Sequence, residues 1–360
     1  MKRIFPQTHK PIKFRFKQTR DDFIVTEIPL FDTPTDKGNY LIVKVQKQDL
    51  STMELLNILE SELQCFSIGY AGLKDKHATT TQYISIPLKF SKSFEKIRHP
   101  RIKILESFRS KEKLSIGDLK GNNFFIRLHD ISPESAAGLI EVLDDIMRQG
   151  MPNYFGYQRF GRDSANFEKA REVAQGELIM KDTKVHKIML HAYQSYLFND
   201  WLVKRIELSH DIKTKTCEEL LVNLNISQEE CDRLKDQPGL FSVLPGDILY
   251  EYQTKKWINV TDLQAIRKPC KEHKMVATGL LAGSKAWRAK GMAGEIEYHF
   301  DDLTVDAVGT RREAWIYPKA IRHAYKKEQK CFELSFTLPK GSYATVLLEN
   351  LANRDLSPQQ

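Results

Sequence analysis

Apolar and polar residues alternate in a series of short segments in the first third of the chain. These segments are rich in β-branched and aromatic residues, a composition typical of strands with one buried face. They are FIVTEIPL (23–30), YLIVKVQK (40–47), QYISIPLKF (82–90), RIKILESF (101–108) and NFFIRLHDI (123–131). Between them, residues 51–64 and 132–150 place apolar side chains at helical spacing behind Ser/Thr or Ser-Pro starts. The pattern predicts an α+β fold with a mixed, mainly antiparallel sheet.

The pattern changes after residue 180 and returns near the end of the chain. KIMLHAYQSYLFNDWLVKRIEL (187–208) is apolar around most of a helical circumference, which predicts a deeply placed helix. CFELSFTLP (331–339) again alternates as a strand, and YATVLLENLA (343–352) follows as a helix. The simplest organisation is a sheet domain of residues 1–180 and 309–360, interrupted by a second domain at 181–308.

Charge is distributed unevenly along this basic chain. The 360 residues carry a net charge of +8, and residues 1–20, 89–113 and 309–330 are strongly basic. Residues 217–236 instead hold six acids and two bases. This asymmetry favours a polyanionic partner and an acidic segment facing away from it, although ordinary solvated faces would produce the same charges.

The cysteines and the hydropathy pattern bear on the compartment. The five cysteines have no C-x-x-C spacing, so neither a zinc site nor a redox pair is indicated. No signal-peptide core and no long apolar run are present, which predicts a reduced, soluble, cytoplasmic protein without membrane contact. Phosphate-loop, nucleophile-elbow and metal-protease motifs are also missing, so we expect no cofactor and no metal.

Two stretches hold the candidate chemistry. In YAGLKDKHATTTQYISI (70–86), Asp75 stands between Lys74 and Lys76, and such neighbours lower the pKa of a carboxyl group and keep it anionic. A solvated turn is the simpler interpretation of this segment taken alone. PNYFGYQRFGRD (152–163) interleaves four aromatic rings with Arg159 and Arg162, which suits stacking on unpaired bases, or else a hydrophobic loop against the sheet.

Together these stretches resemble the signature segments of the TruD family, the tRNA pseudouridine-13 synthases. The resemblance runs from about residue 10 to 351, and its motifs occur in the same order as in the family. The matching segments are RDDFIVTEIPLF (20–31), Lys47 and Thr52, AGLKDKHATTTQ, GDLKGNNF (117–124), NYFGYQRFG, AYQSYLFN (192–199), GTRREAW (309–315) and LPKGSYAT (338–345).

The resemblance implies a pseudouridine synthase catalytic domain with an α/β TRUD domain inserted in it. It also implies an isomerase that converts uridine of tRNA to pseudouridine without a cofactor. Asp75 falls on the family's catalytic aspartate, which attacks the sugar or assists loss of uracil. The target base must leave its stack to react, and basic segments offset that cost.

The family's supporting residues match further positions of this chain. Lys74 would tune the charge of Asp75, Asn153 would orient it, and Phe155 would stack on the base. Tyr343 stands where many relatives carry phenylalanine, and Glu27 matches a recurring acid that a strand-edge charge would explain equally well. The residues expected to contact RNA are Lys76, Arg159, Arg311 and Arg312.

Two other functions compete with this interpretation. The first is a module that binds or folds RNA and whose catalysis is dispensable. The second is a hydrolase that uses Asp75 with water, which the lack of a second acid or base at motif spacing disfavours. The expected partner in the main interpretation is tRNA, bound by a monomer.

Overall fold

The computed structural model describes residues 3–31, 37–160 and 166–357. The chain forms two compact units, each made of separate stretches of sequence. Residues 12–140 and 318–341 form the unit called here the sheet unit. Residues 1–11, 141–317 and 342–360 form the other, the helical unit.

Strands and helices are numbered in chain order. The strands are β1 (Phe23–Pro29), β2 (Tyr40–Gln48), β3 (Gly69–Tyr70), β4 (Thr79–Pro87), β5 (Ile102–Ser110), β6 (Leu119–His129), β7 (Met151–Pro152), β8 (Ile248–Glu251), β9 (Lys256–Asn259), β10 (Met275–Leu281), β11 (Thr310–Glu313), β12 (Trp315–Ile316), β13 (Lys319–Lys326) and β14 (Cys331–Pro339). The helices are α1 (Thr52–Leu63), α2 (Ser91–Phe94), α3 (Pro133–Gln149), α4 (Asn166–Ala174), α5 (Thr183–Thr214), α6 (Cys217–Leu224), α7 (Gln228–Lys235), α8 (Leu263–Lys271), α9 (Gly291–Tyr298) and α10 (Ala344–Ala352).

One large sheet organises the sheet unit, with the strand order β13-β14-β6-β1-β4-β2-β5 and β3 paired to β4. Every pair is antiparallel except β1 with β4, which run parallel. In the β1–β6 register, Glu27 lies opposite Asn122. In the β2–β4 register, Lys47 lies opposite Thr80. Glu27 and Lys47 therefore both stand on interior strands of the sheet.

Helix α1 covers one face of this sheet. A capping box formed by Ser51 and Glu54 satisfies backbone donors at its start. Its buried leucines, such as Leu55 and Leu59, join the core cluster contributed by β2 and β4. Burial of such side chains contributes roughly 1.5–3 kcal/mol each, which holds the helix against the strands that carry Lys47 and the start of β4.

The helical unit is built around α5, a helix of 32 residues. It contains a four-stranded sheet in the order β11-β10-β8-β9 and a separate ladder of β7 with β12. In that ladder Trp315 pairs with Pro152 and Ile316 with Met151. The ladder brings the segment that follows β7 beside the segment that precedes β12.

The structure confirms the α+β fold and most of the predicted elements. Residues 88–90 form a 3-10 turn and not the end of a strand. The chain pattern did not reveal β10, whose buried run of residues lacks alternation, or β13, whose charged residues point to both faces of an edge strand. The predicted domain limits at 180/181 and 308/309 differ from the limits of the compact units and stay a prediction.

One expectation about the cysteines is wrong. Cys217 and Cys231 form a disulfide, with their Cα atoms 6.0 Å apart, whereas all five cysteines were expected to be reduced. The two residues come from the neighbouring helices α6 and α7, whose side-by-side packing produces a proximity that a separation of 14 residues does not signal.

Membrane spans and metal-ligand groups are both missing from the described ranges. No helix there has the length and apolar character needed to cross a bilayer. No group of three His, Cys, Asp or Glu side chains in those ranges is arranged to hold a metal ion. The cytoplasmic location, the monomeric state and the lack of a cofactor stay predictions.

Candidate active site

Asp75 lies in the loop that joins β3 to β4 in the sheet unit. Its side chain is 42% exposed, and its Oδ2 atom lies 3.3 Å from the Nζ atom of Lys17. The same ammonium group lies 4.1 Å from the ring centroid of Phe23. A cation 3.3 Å from a carboxylate stabilises its negative charge. The loop therefore presents an accessible acid beside a positive charge.

The two lysines that flank Asp75 have other partners. The ammonium group of Lys74 lies 2.7 Å from Oε2 of Glu27, and it donates to Oδ1 of Asn122 at 2.7 Å. Lys76 forms an exposed ion pair with Glu54 at 2.6 Å. The cation that pairs with the Asp75 carboxylate is thus Lys17, 58 residues earlier in the chain, and not one of its two sequence neighbours.

The backbone of the Asp75 loop is held by buried side chains. Lys47 is fully buried, and its ammonium group donates to the carbonyl oxygen of Asp75 at 2.9 Å and to that of Leu50. The hydroxyl of Thr52 accepts from the Lys74 N–H at 2.8 Å and donates to Gln82 at 3.0 Å. The main chain is therefore anchored on both sides of the carboxylate, while the carboxylate itself stays exposed.

Burial also changes the titration of Lys47. Removal of this ammonium group from water lowers its pKa from 10.5 to about 8. The charge of Lys74 acts in the same direction, whereas the negative charges of Asp75 and Glu54 oppose the shift. The hydrogen bond to the Asp75 carbonyl is therefore made by a lysine that loses its charge at mildly alkaline pH.

Glu27 occupies an interior position of the sheet. It is buried, and its Oε1 atom accepts from the backbone N–H of Tyr83 at 3.2 Å. Because β1 lies between β6 and β4, this carboxylate is not the strand-edge charge that was its alternative interpretation. Its ion pair with Lys74 fixes the side chain that precedes Asp75.

Phe155 lies in the helical unit, in the segment that follows β7. Its ring is only 8% exposed and packs against Phe198 and Tyr343, with ring centroids 5.6 and 6.1 Å away. The side-chain amide of Asn199 binds both backbone groups of Phe155, accepting from its N–H at 2.8 Å and donating to its carbonyl at 3.0 Å. Arg3 donates to the same carbonyl at 3.1 Å. The position of the ring is thus determined by several contacts.

Arg312 connects Phe155 to Asn153. Its guanidinium group lies 4.0 Å from the ring centroid of Phe155 and donates to Asn153 at the carbonyl oxygen (3.1 Å) and at Oδ1 (2.9 Å). The amide of Asn153 donates in turn to the carbonyl of Glu313 at 2.9 Å. Burial lowers the pKa of Arg312 to about 10. The predicted roles of Asn153 toward Asp75 and of Phe155 toward a base stay predictions.

The other two arginines expected to contact RNA, and Arg162 of the aromatic stretch 152–163, differ in their surroundings. Arg311 is 6% exposed, and its guanidinium group binds Glu297 at 2.7 Å, Thr278 and the carbonyl of Trp287. These protein contacts occupy its guanidinium group, and its role toward RNA stays a prediction. Successive strand residues point to opposite faces, which explains why Arg311 and Arg312 diverge. Arg159 donates to Ser195 at 3.2 Å and lies 5.8 Å from the Phe155 ring. Arg162 lies outside the described residues.

Several residues of these clusters were missed in the sequence. Lys17 belongs to the basic N-terminal segment, but nothing in its spacing links it to Asp75. Asn199 and Lys47 were noted only as members of matching segments, without a role. The roles of Asn199 and Lys47 depend on contacts with residues far away in the sequence. Their presence in the matching segments was the signal that the sequence offered for them.

The comparisons with known proteins agree over almost the whole chain. A family model described as tRNA pseudouridine synthase D (TruD) matches residues 2–180 and 165–351. A protein named tRNA pseudouridine synthase D from Wolinella succinogenes is 45% identical over 359 residues, which is 99% of each chain. One with the same name from Nitratiruptor sp. is 42% identical over 358 residues, again 99% of each chain. A crystal structure from Methanosarcina mazei that carries the TruD name superposes with a TM-score of 0.68 at 25% identity, covering 98% of this chain and 96% of that one.

Proposed function

The chain belongs to the TruD family of tRNA pseudouridine synthases, and from this we propose that Asp75 is the catalytic aspartate that acts on uridine 13 of tRNA. The family's reaction makes the protein an isomerase that converts uridine to pseudouridine. The bond between uracil N1 and the sugar breaks, a bond from C5 to the same sugar carbon forms, and the C5 proton leaves while N1 gains one. The reaction is balanced without an oxidant or a reductant.

The geometry of the Asp75 loop carries this proposal. The backbone on both sides of the residue is anchored by Lys47 and Thr52, yet the carboxylate is partly exposed and pairs with Lys17 at 3.3 Å. A fixed main chain with an accessible anion suits a nucleophile, because correct placement lowers the barrier by reducing the entropy lost on reaction. The carboxylate attacks the anomeric carbon or assists departure of uracil from it.

Lys17 has a double role in this proposal. Its charge stabilises the carboxylate before reaction, and its side chain is partly exposed, so an RNA phosphate would be able to reach it. Formation of an ester between Asp75 and the sugar would remove the negative charge from the carboxylate. Lys17 would then be able to bind a phosphate of the substrate instead, which couples the charge of the acid to the position of the RNA.

The Phe155 cluster would serve the base. Arg312 covers one face of the Phe155 ring, so a stacked uracil would use the other face or the ring edge. Stacking on an aromatic ring offsets the cost of unstacking a base from RNA, which is a few kcal/mol. Tyr343 and Phe198 hold the ring from the side, and the arginine carries positive charge to the same place.

Tritium release from tRNA labelled at C5 of uridine tests the role of Asp75. We expect Asp75→Asn to reduce the rate by at least about 10³-fold while tRNA affinity stays within about twofold. Asp49→Asn is a matched control, because Asp49 is also 42% exposed and also pairs with a basic side chain, Arg20, at 3.4 Å. It should release tritium at the natural rate. Release at the natural rate from Asp75→Asn would exclude this residue as nucleophile.

The position of the target is tested separately. A tRNA transcript with cytidine in place of uridine 13 should give no release, and one labelled only at uridine 13 should give full release. Release from the first transcript would show that the enzyme acts elsewhere, without changing the role of Asp75. Appearance of free uracil in either reaction would point to hydrolysis and not isomerisation.

A further inference from the structure

The helical unit contains a cavity of about 370 Å³ that the proposed chemistry does not use. Its walls come from the end of α3, the segment 237–243, α8 with the turn after it, the start of β10, and residues 315 and 317. The volume lies within the range of small-molecule sites. A cavity of this size accommodates one nucleotide.

The floor of the cavity is aromatic and apolar. The rings of Phe241 and Trp315 lie 5.4 Å apart, and both residues are buried. On one side, the rings of His273 and Tyr317 are stacked, with centroids 3.6 Å apart and planes inclined by 17°. Tyr317 is half-buried, so part of its ring faces the cavity. Flat aromatic walls of this kind suit a planar heterocycle.

The rim of the cavity is cationic. Arg148, Arg267 and Lys271 line it and are exposed, and no Asp or Glu occurs among the described residues that line it. The two arginines do have exposed ion pairs, one with Asp145 and one with Asp236 at 2.8 Å. Such surface pairs are weak and exchange readily for a phosphate, whose geometry suits a guanidinium group.

We propose that this cavity binds a nucleotide, with the base against the Tyr317 side of the floor and the phosphate between Arg267 and Lys271. We favour a nucleotide of the tRNA other than the reacting uridine as its occupant, and a free mononucleotide has the same chemistry. The proposal rests on the tRNA substrate of the family and not on the role of Asp75.

The β7–β12 ladder supports the RNA source. Trp315, on the floor of the cavity, pairs with Pro152 across this ladder. Asn153 follows Pro152 directly, and Arg312 lies three residues before Trp315 and binds Asn153. The cavity and the Asn153–Arg312 contact therefore flank one short ladder, so an RNA strand held at one would lie near the other.

The charged rim is tested by tRNA binding in the Asp75→Asn background, where no turnover disturbs the measurement. We expect the double variant Arg267→Gln, Lys271→Gln to weaken tRNA affinity about five- to twentyfold. The slope of log affinity against log salt should fall by about 0.7, because the two side chains together neutralise one phosphate of a single strand.

A matched control comes from the same region. Lys268→Gln, Lys274→Gln also removes two exposed cations, one of them in an ion pair (Lys274 with Glu272 at 2.6 Å), but neither residue lines the cavity. It should change tRNA affinity less than twofold. Equal losses in the two double variants would overturn the assignment of the RNA to this cavity.

Tyr317, on the side of the cavity, gives a second test. Tyr317→Leu should weaken tRNA binding about tenfold, whereas Tyr317→Phe, which keeps the ring and guards against a folding defect, should bind like the parent. Titration with AMP distinguishes the two sources. AMP binding that is lost in the Arg267→Gln, Lys271→Gln variant, with tRNA affinity unchanged, would assign the cavity to a free mononucleotide. No response of either ligand to the rim and floor variants would overturn the proposal, whatever tritium release shows for Asp75.

Discussion

The Asp75 loop and the Phe155 segment are held in opposite ways. In the sheet unit, buried side chains anchor the main chain of the loop, and the acid itself stays 42% exposed. In the helical unit, the Phe155 ring is itself buried, with its backbone bound by Asn199 and one face covered by Arg312. The difference suits a group that reacts and a group that positions, because a nucleophile needs access and a positioning ring needs rigidity.

The same comparison shows that neighbours in sequence are poor guides to charge partners. Asp75 stands between two lysines, yet its carboxylate meets Lys17, while Lys74 is committed to Glu27. Arg311 and Arg312 are adjacent, yet one belongs to a buried ion pair and the other to the Phe155 ring.

Substitutions of the two lysines beside Asp75 should have very different effects on the free energy of unfolding. Lys74→Met leaves the Glu27 carboxylate buried without its cation, so we expect a loss of about 3–5 kcal/mol in the free energy of unfolding. Lys76→Gln disrupts only an exposed pair and should leave this free energy almost unchanged. Urea denaturation measures both. The double variant Glu27→Gln, Lys74→Met should recover much of the loss, and equal stabilities of the two single variants would contradict the buried pair.

The free energy of unfolding should depend on pH through a buried carboxyl group of the helical unit, which also holds Phe155. Glu349 is fully buried beside Arg3, and burial raises the pKa of this carboxyl from 4.5 to about 7, although Arg3 opposes the shift. The folded state therefore binds the proton more tightly than the unfolded state. The resulting stabilisation is present below about pH 4.5 and is lost as the pH rises through about 7, which amounts to about 3 kcal/mol.

Glu349→Gln isolates this contribution, because the other titrating groups are shared with the natural protein. The natural protein should lose about 2.4 kcal/mol relative to Glu349→Gln between pH 5 and pH 7.5, measured by urea denaturation. A constant difference between the two proteins across this range would show that Glu349 does not titrate there. The tritium-release rate at pH 7.5 should be similar in both if the Arg3 contact to Phe155 persists.

Lys47 should matter for the rate of reaction more than for RNA binding. Lys47→Met removes the donor to the Asp75 carbonyl and should lower kcat about 10²-fold, since small displacements of a nucleophile have effects of this size. KM should change little, because Lys47 is buried. Lys47→Arg keeps a charged donor and should recover part of kcat.

The lowered pKa of Lys47 also predicts the direction in which stability and kcat change with pH. Its folded value of about 8 lies below the unfolded value of 10.5, so the unfolded state binds more protons between these limits. Stability should therefore rise with pH from about 8 to 10.5 relative to Lys47→Met. Over the same range kcat should fall, because the neutral amine is a weaker donor. A kcat that stays level while stability rises would mean that Lys47 has only a structural role.

The smallest effect is expected at Arg312. Arg312→Lys keeps the charge near Phe155 but loses the two-pronged contact with Asn153, so kcat/KM should fall about tenfold. Arg159→Lys alters a single hydrogen bond to Ser195, so its kcat/KM should fall less than threefold. Steady-state tritium release distinguishes them. Equal losses would show that the Arg312–Asn153 contact has no special place in the reaction.

The strand and helix pattern was predictable wherever burial is one-sided. Alternating segments such as 40–47 and 123–131 became strands, and residues 51–64 became α1, because hydrophobic periodicity reports which face is buried. The pattern missed β13 because a charged edge strand buries little on either face. It also gave no sign of the Cys217–Cys231 disulfide, since that proximity depends on the packing of two helices.

The α+β fold, the family and Asp75 as the candidate acid could all be recognised in the sequence, since they depend on local composition and on the order of motifs. The partners of each charge could be identified only in the folded chain. Glu27, Lys47 and Asn122 meet around the Asp75 loop because strands from distant parts of the chain pair in one register, and Lys17 reaches it from the segment that precedes β1. Short-range electrostatic and hydrogen-bonding contacts depend on separations of a few ångströms, and chain folding sets those separations.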